Sequence, residues 1–165
     1  VLAALPLRYR HRLAVAMLGE MLQEMRWPPP KLSFSGRCIE KLSYALVVSL
    51  FNVFPLPQKT GFRQSFAFAG ESVDRGYSIL VFPEGKRTQD GTLSRFQAGI
   101  GLLAANLNIP IVPIRIDGLF ELKKAEKKFA GPGKVSVVIG NAVRFAPGTD
   151  PVKIAEELEM AVKSL

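Results

Sequence analysis

The clearest order in the chain begins at Phe62. Phe62, Phe66, Ala69 and Val73 recur every three or four residues, which puts them on one face of an α-helix. Gly76 follows as its C-cap. Ser78 to Phe82 (SILVF) is a short unbroken apolar run and predicts a buried strand. The next stretch, Pro83 to Ser94, is polar and contains glycine, so it reads as a loop. A second helix is predicted over Gln97 to Asn106, with Ile100, Leu103, Ala104 and Leu107 on one face. Pro110 to Ile116 and Lys134 to Ile139 read as strands, the latter after a Gly131-Pro132-Gly133 turn. A last helix starts with Asp150 as N-cap and Pro151 at the first helical position. Its apolar stripe is Ala155, Leu158, Val162 and Leu165.

The first third is less regular. Val1 to Leu5 reads as the tail of a helix stopped by Pro6. Arg12 to Met17 alternates like a strand. Glu20 to Arg26 predicts a short helix, closed by Pro28-Pro29-Pro30. Ile39 to Phe51 has the length of a helix, and Val53 to Leu56 that of a short strand. Alternating strands and helices predict an α/β domain whose mixed, partly parallel sheet is flanked by helices. No linker divides the chain, so residues 1–165 are expected to form a single domain.

Leu42 to Leu56 is the most apolar stretch. It falls short of the roughly 20 residues of a membrane-spanning helix, and Ser43, Ser49, Asn52 and Pro55 interrupt it. Two readings stand: a buried helix running into a strand, or a face that rests on a membrane. Trp27, just before the three prolines, allows the same choice between core and membrane interface.

Composition narrows the partners. Apolar residues make up 48% of the chain, too many for a disordered one. Lys and Arg number 22 against 14 Asp and Glu, a net charge of +8, which favours nucleic acid, anionic headgroups or phosphorylated substrates. No nucleic-acid motif or run of aromatics among basic residues is present, so nucleic acid is not expected. The Lys-rich stretch from Lys123 to Phe129 suits anionic lipid or a solvated face equally. Cys38 is the only cysteine; it permits no intrachain disulfide and reads as a small buried hydrophobe. No metal-ligand spacing, P-loop or dinucleotide fingerprint occurs, so no metal or cofactor is expected. Arg8 and Arg10 follow a short apolar piece, the reverse of a signal peptide's charge order.

The densest chemistry is Val81-Phe82-Pro83-Glu84-Gly85-Lys86-Arg87-Thr88, where an apolar strand ends and a loop begins. Ligands of α/β folds bind at the carboxyl ends of strands. Arg87 can grip a phosphate with two parallel hydrogen bonds, Lys86 as a point charge, and Gly85 by close backbone approach. A solvated turn with an incidental Glu-Arg pair is the plainer reading of the octamer alone.

The wider pattern favours the phosphate. Phe82-Pro83-Glu84-Gly85-Lys86-Arg87-Thr88, then Gly91, Phe96, Gly99 and Leu103-Ala104, then Ile109-Pro110-Ile111-Val112-Pro113-Ile114, resembles the 1-acylglycerol-3-phosphate acyltransferase family over nearly the whole chain. That family's third signature block is F-P-E-G-T-R-S. Its fourth is an apolar run with two prolines ending in a strand. Lys86 stands in place of the block's Thr, and Thr88 in place of its Ser. The resemblance implies an α/β enzyme that moves a fatty acyl group from acyl-CoA or acyl-ACP to the hydroxyl of a lysophospholipid. It implies that Arg87 contacts the acceptor phosphate, and that Glu84 lies near the glycerol or braces the basic loop. It also implies a peripheral enzyme at the cytoplasmic, anionic face of a membrane.

Two features depart from the family. Its general base is the His of a His-x-x-x-x-Asp block, the Asp orienting the imidazole. His11 is the only histidine, and Ala16 occupies the Asp position. His11 instead reads as part of the basic edge Arg8, Arg10, His11 and Arg12. The chain is therefore expected to lack the family's first block, to contain no catalytic residue, and to be inactive by itself. The second block, usually an apolar strand ending in Asp-Arg, corresponds to Phe54-Pro55-Leu56-Pro57-Gln58-Lys59. Gln58 takes the Arg position, leaving Lys59 or Arg63 to supply the charge. A non-catalytic module that binds anionic lipid or phosphate through the same loop is the alternative.

Overall fold

Strand β1 (Leu13–Leu18) lies between β2 (Asn52–Leu56) and β3 (Ser78–Leu80) in a parallel sheet of order β2-β1-β3. Ala14 faces Asn52 on one side and Ile79 on the other. The structure is a computed structural model that describes residues 5–56, 62–86, 88, 90–123 and 133–165. Parallel strands need long crossovers. The first is α2 (Gly19–Arg26) with α3 (Phe34–Leu50), and the second is α4 (Phe62–Asp74). With the single turn α1 (Leu7–Arg10), these elements make one compact unit, Pro6–Phe82.

A central strand covered on both faces is apolar on both, and Leu13, Ala14 and Ala16 are all buried. Pro55 is tolerated because β2 pairs with β1 alone, and an edge strand can lack one N–H. The Pro55 carbonyl accepts a hydrogen bond from the Ser65 hydroxyl of α4 at 2.6 Å, which satisfies that buried serine. Phe54 stacks on Phe68 at 5.1 Å between ring centroids and fixes α4 on the sheet. Gly76, with φ +79, ends α4 as its C-cap was expected to.

Several expectations need correction in this unit. α3 begins at Phe34, not Ile39, because the Ser33 hydroxyl accepts the Gly36 N–H at 3.2 Å and caps the helix. α3 runs into a strand as expected, but it is not buried: Phe34, Ile39, Leu42 and Leu46 are exposed. Only its arc of Gly36, Glu40, Ser43, Tyr44 and Val47 is half-buried, where α3 meets α2 and β2. Cys38 is exposed rather than a core residue, and so is Trp27. β3 is half-buried and stops at Leu80. No described helix is long and apolar enough to cross a membrane.

The other unit, built from Pro83–Leu165, holds α5 (Ala98–Leu107), β4 (Ile114–Asp117), α6 (Leu119–Lys123), β5 (Ser136–Ile139) and α7 (Pro151–Lys163). Its core is Phe96, Ala104, Ile154, Ala155, Leu158 and Val162. α5 and α7 pack closely because Gly101 has no side chain: a Cβ there would lie 1.8 Å from the Pro151 carbonyl oxygen. Asp150 caps α7, its carboxylate accepting the Val152 N–H at 3.0 Å. β4 and β5 are antiparallel, Ile114 opposite Ile139. Parallel and antiparallel pairing thus both occur, in separate sheets. β4 starts four residues later than Pro110 suggested. Pro110 and Pro113 have no N–H to donate, and Ile111 makes only an isolated bridge to Val143. α6 was not foreseen; it follows the turn at Gly118, φ +88. The expected helix tail over Val1 to Ala4, the lysines from Lys124 to Lys128, and Gly131-Pro132 of the expected turn lie outside the described residues.

Candidate functional site

The loop after β3 is long, yet hydrogen bonds fix it at both ends and in the middle. Its mouth is closed by the Gln97 N–H donating to the Pro83 carbonyl at 2.9 Å. One residue inside, a Glu84 carboxylate oxygen accepts the Ser94 N–H at 2.7 Å. This bond spans ten residues and is partly shielded from water, so it is stronger than an exposed one. Glu84 therefore braces the loop through a backbone amide.

Asp90 organises the outer part. One of its carboxylate oxygens accepts the Thr92 N–H at 2.9 Å, the Thr92 hydroxyl at 2.7 Å and the Thr88 hydroxyl at 3.0 Å. The Thr88 hydroxyl in turn accepts the Gly91 N–H at 2.9 Å. Gly91 has φ +88, a conformation that glycine adopts without strain. The Thr92 amide, then the Thr92 and Thr88 hydroxyls, hold the Asp90 carboxyl down at about 2. Asp90-Gly91 is a turn signal by residue type.

The far end is tied to α7. The Phe96 N–H donates to Glu159 at 3.0 Å while its ring enters the core. Arg95 pairs with Glu156 at 3.0 Å. Hydrogen bonds from Lys163 and from the Phe96 amide lower the Glu159 carboxyl below its ordinary range. Ser94 and Glu159 were not legible in the sequence because each acts through a backbone amide, which leaves no residue-type pattern.

Glu84, Gly85, Lys86 and Thr88 thus share one braced loop. Gly85 has φ +68, and Lys86 is exposed. The Thr88 hydroxyl is engaged with Asp90 and the Gly91 amide. Arg87 and Lys59 lie outside the described residues. Arg63 is exposed in the first turn of α4, in the other unit. His11 is exposed at the end of α1. Among the described residues no cluster of His, Cys, Asp and Glu converges as metal ligands.

A family model described as acyltransferase matches residues 11–117, about two thirds of the chain. The chain belongs to the acyltransferase family. The match runs from His11 through β4 and takes in the whole braced loop, so the acyltransferase signature residues lie inside it. Among curated relatives, a 1-acyl-sn-glycerol-3-phosphate acyltransferase of Pseudomonas aeruginosa is 35% identical over 99 residues, 59% of this chain and 37% of that protein. A chloroplastic enzyme of the same description from Arabidopsis thaliana is 33% identical over 96 residues, 54% of this chain and 27% of its own length. The acyltransferase chain therefore spans well under half of these relatives. A crystal structure of the 1-acyl-sn-glycerophosphate acyltransferase PlsC from Thermotoga maritima has the same fold. It aligns with a TM-score of 0.59 and 23% identity over 93% of this chain and 56% of that one.

Proposed function

We propose that this acyltransferase chain is part of an enzyme that esterifies 1-acylglycerol-3-phosphate, or a neighbouring lysophospholipid, with a fatty acyl group from acyl-CoA or acyl-ACP. The observation that carries the reading is the basic loop Gly85-Lys86-Arg87, braced by Glu84 on Ser94 inside the stretch that matches the family. The relatives' descriptions name the acceptor class.

The acceptor hydroxyl attacks the thioester carbonyl, its proton passes to a base, and the thiolate leaves and takes up a proton. Lys86 and Arg87 hold the acceptor phosphate with the Gly85 backbone close by. The base is the family's His-x-x-x-x-Asp pair, supplied by a part of the protein outside these 165 residues, since His11 is followed by Ala16 at the Asp position. Residues 1–165 alone are accordingly inactive or nearly so. The enzyme works peripherally at the anionic, cytoplasmic face of a membrane and needs no cofactor beyond its cosubstrate.

Labelled acyl-CoA and acyl-ACP offered with a panel of lysophospholipids to the full-length protein test this. Transfer is expected, and Arg87→Ala is expected to lower kcat/KM by about tenfold to a hundredfold, the worth of a charged hydrogen bond. Binding of anionic lipid with no transfer to any acceptor would replace this reading with the non-catalytic module.

A further inference from the structure

The outward face of α3 is largely apolar, interrupted by Ser35 and Ser49, and among the described residues it has no partner. With 3.6 residues per turn, Phe34, Cys38, Ile39, Leu42, Ala45 and Leu46 share one arc, opposite the half-buried arc against α2 and β2. Phe34 is 80% exposed, Ile39 63%, Leu42 62% and Leu46 51%. Scattered exposed leucines are ordinary, but a contiguous stripe of this size marks an interaction surface.

Charge says what covers it. Between Arg26 and Phe51 the chain carries Arg26, Lys31, Arg37 and Lys41 against one acid, Glu40. Lys31, Arg37 and Lys41 are exposed, whereas Glu40 is half-buried on the inward arc. Arg37 and Lys41 border the apolar arc on one side. Before the helix stands Trp27, 71% exposed, with the Arg26 guanidinium 5.7 Å from its ring centre. A helix with an apolar face, a cationic border and an indole at its approach is suited to lie in a bilayer interface. A protein partner would have to offer an apolar groove with an acidic rim. A bilayer of anionic lipid offers both by its nature.

We propose that the outward face of α3 is the surface on which this protein docks to an anionic lipid bilayer, Phe34, Leu42 and Leu46 entering the acyl boundary while Lys31, Arg37 and Lys41 meet the headgroups. This rests on the acyltransferase reading only in that such an acceptor resides in the bilayer.

Cys38 lies on the same arc and is exposed, so it reports directly. In the full-length protein, with any other cysteine replaced by serine, Cys38 carries an environment-sensitive dye. Phosphatidylcholine–phosphatidylglycerol vesicles are expected to shift its emission to the blue, and pure phosphatidylcholine vesicles much less. Leu42→Ser/Leu46→Ser is expected to weaken vesicle binding at least about tenfold, and Lys41→Glu about fivefold or more. Acyl transfer to lysophosphatidate in detergent micelles is expected to be unchanged in the double variant, which also shows that it folds. An unmoved dye on vesicle-bound protein would overturn the proposal, because another surface would then dock. Emission already blue without lipid would overturn it in favour of another segment of the protein, or of a second copy if the blue fraction rises with protein concentration. Absent micellar transfer in the unsubstituted protein would defeat the acyltransferase reading and leave the docking result standing by itself.

Discussion

Glu84 and Arg87 are three residues apart and are assigned different work. The Glu84 carboxylate is engaged by the Ser94 amide, so its removal acts on the loop first. Glu84→Ala leaves a partly buried N–H without its acceptor, which costs about 1–3 kcal/mol. Thermal unfolding is expected at a lower temperature, with kcat/KM reduced alongside. Glu84→Gln keeps an acceptor oxygen and is expected to lose less of both. Arg87→Ala is expected to leave the melting temperature alone. Equal melting temperatures for Glu84→Ala and the unsubstituted protein would remove the bracing role. Asp90 gives the loop a pH limit. Its folded-state value is lowered from 3.8 to about 2, so the turn's stabilisation is fully present above about pH 4 and is lost as pH falls toward 2. Protection of the Gly91 and Thr92 amides, measured against free-peptide exchange at the same pH, is expected to fall over that window in the unsubstituted chain. Asp90→Asn is expected to raise exchange at neutral pH and to flatten its dependence on acid. At this scale the sequence reading located the basic loop by residue type and spacing. It could not find Ser94, because an amide donor is common to every residue but proline.

Elements were easier to find than their surroundings. The helices α4, α5 and α7 followed from apolar spacing, and the α7 cap from Asp150-Pro151. Strand length was misjudged where proline intervened, since apolar content over Pro110 to Ile116 is that of a strand but two of its donors are missing. For α3 the apolar pattern could not separate a helix hidden in a core from one whose apolar face is exposed. Both call for Leu and Phe, and only the packing of α2 and β2 on one arc distinguishes them. The contact of α5 with α7 also depended on geometry. Gly101→Ala places a methyl group on the Pro151 carbonyl, an overpacking that costs about 1–3 kcal/mol or more. The melting temperature is expected to fall by roughly 2–4 °C for each kcal/mol. An unchanged melting temperature would mean that the helices part without cost.

At the scale of the whole chain, the family was legible because its signature blocks combine rare local sequences with fixed spacing. The +8 charge agreed with an anionic acceptor but did not select one, since charge identifies a class of partner and not a molecule. His11 and Ala16 depart from the family's His-x-x-x-x-Asp pattern, and the chain spans 37% of its Pseudomonas relative. Residues 1–165 by themselves are expected to turn over about two to four orders of magnitude more slowly than the full-length protein, the usual contribution of a general base. Recognition of the acceptor's phosphate by the loop is the proposal on which the rest depends. The most direct test compares kcat/KM for 1-acylglycerol-3-phosphate with that for a monoacylglycerol of the same chain, in the full-length protein and in Arg87→Ala. A strong preference for the phosphorylated acceptor is expected, and Arg87→Ala is expected to diminish it about tenfold or more. A preference left intact by Arg87→Ala would contradict the proposal.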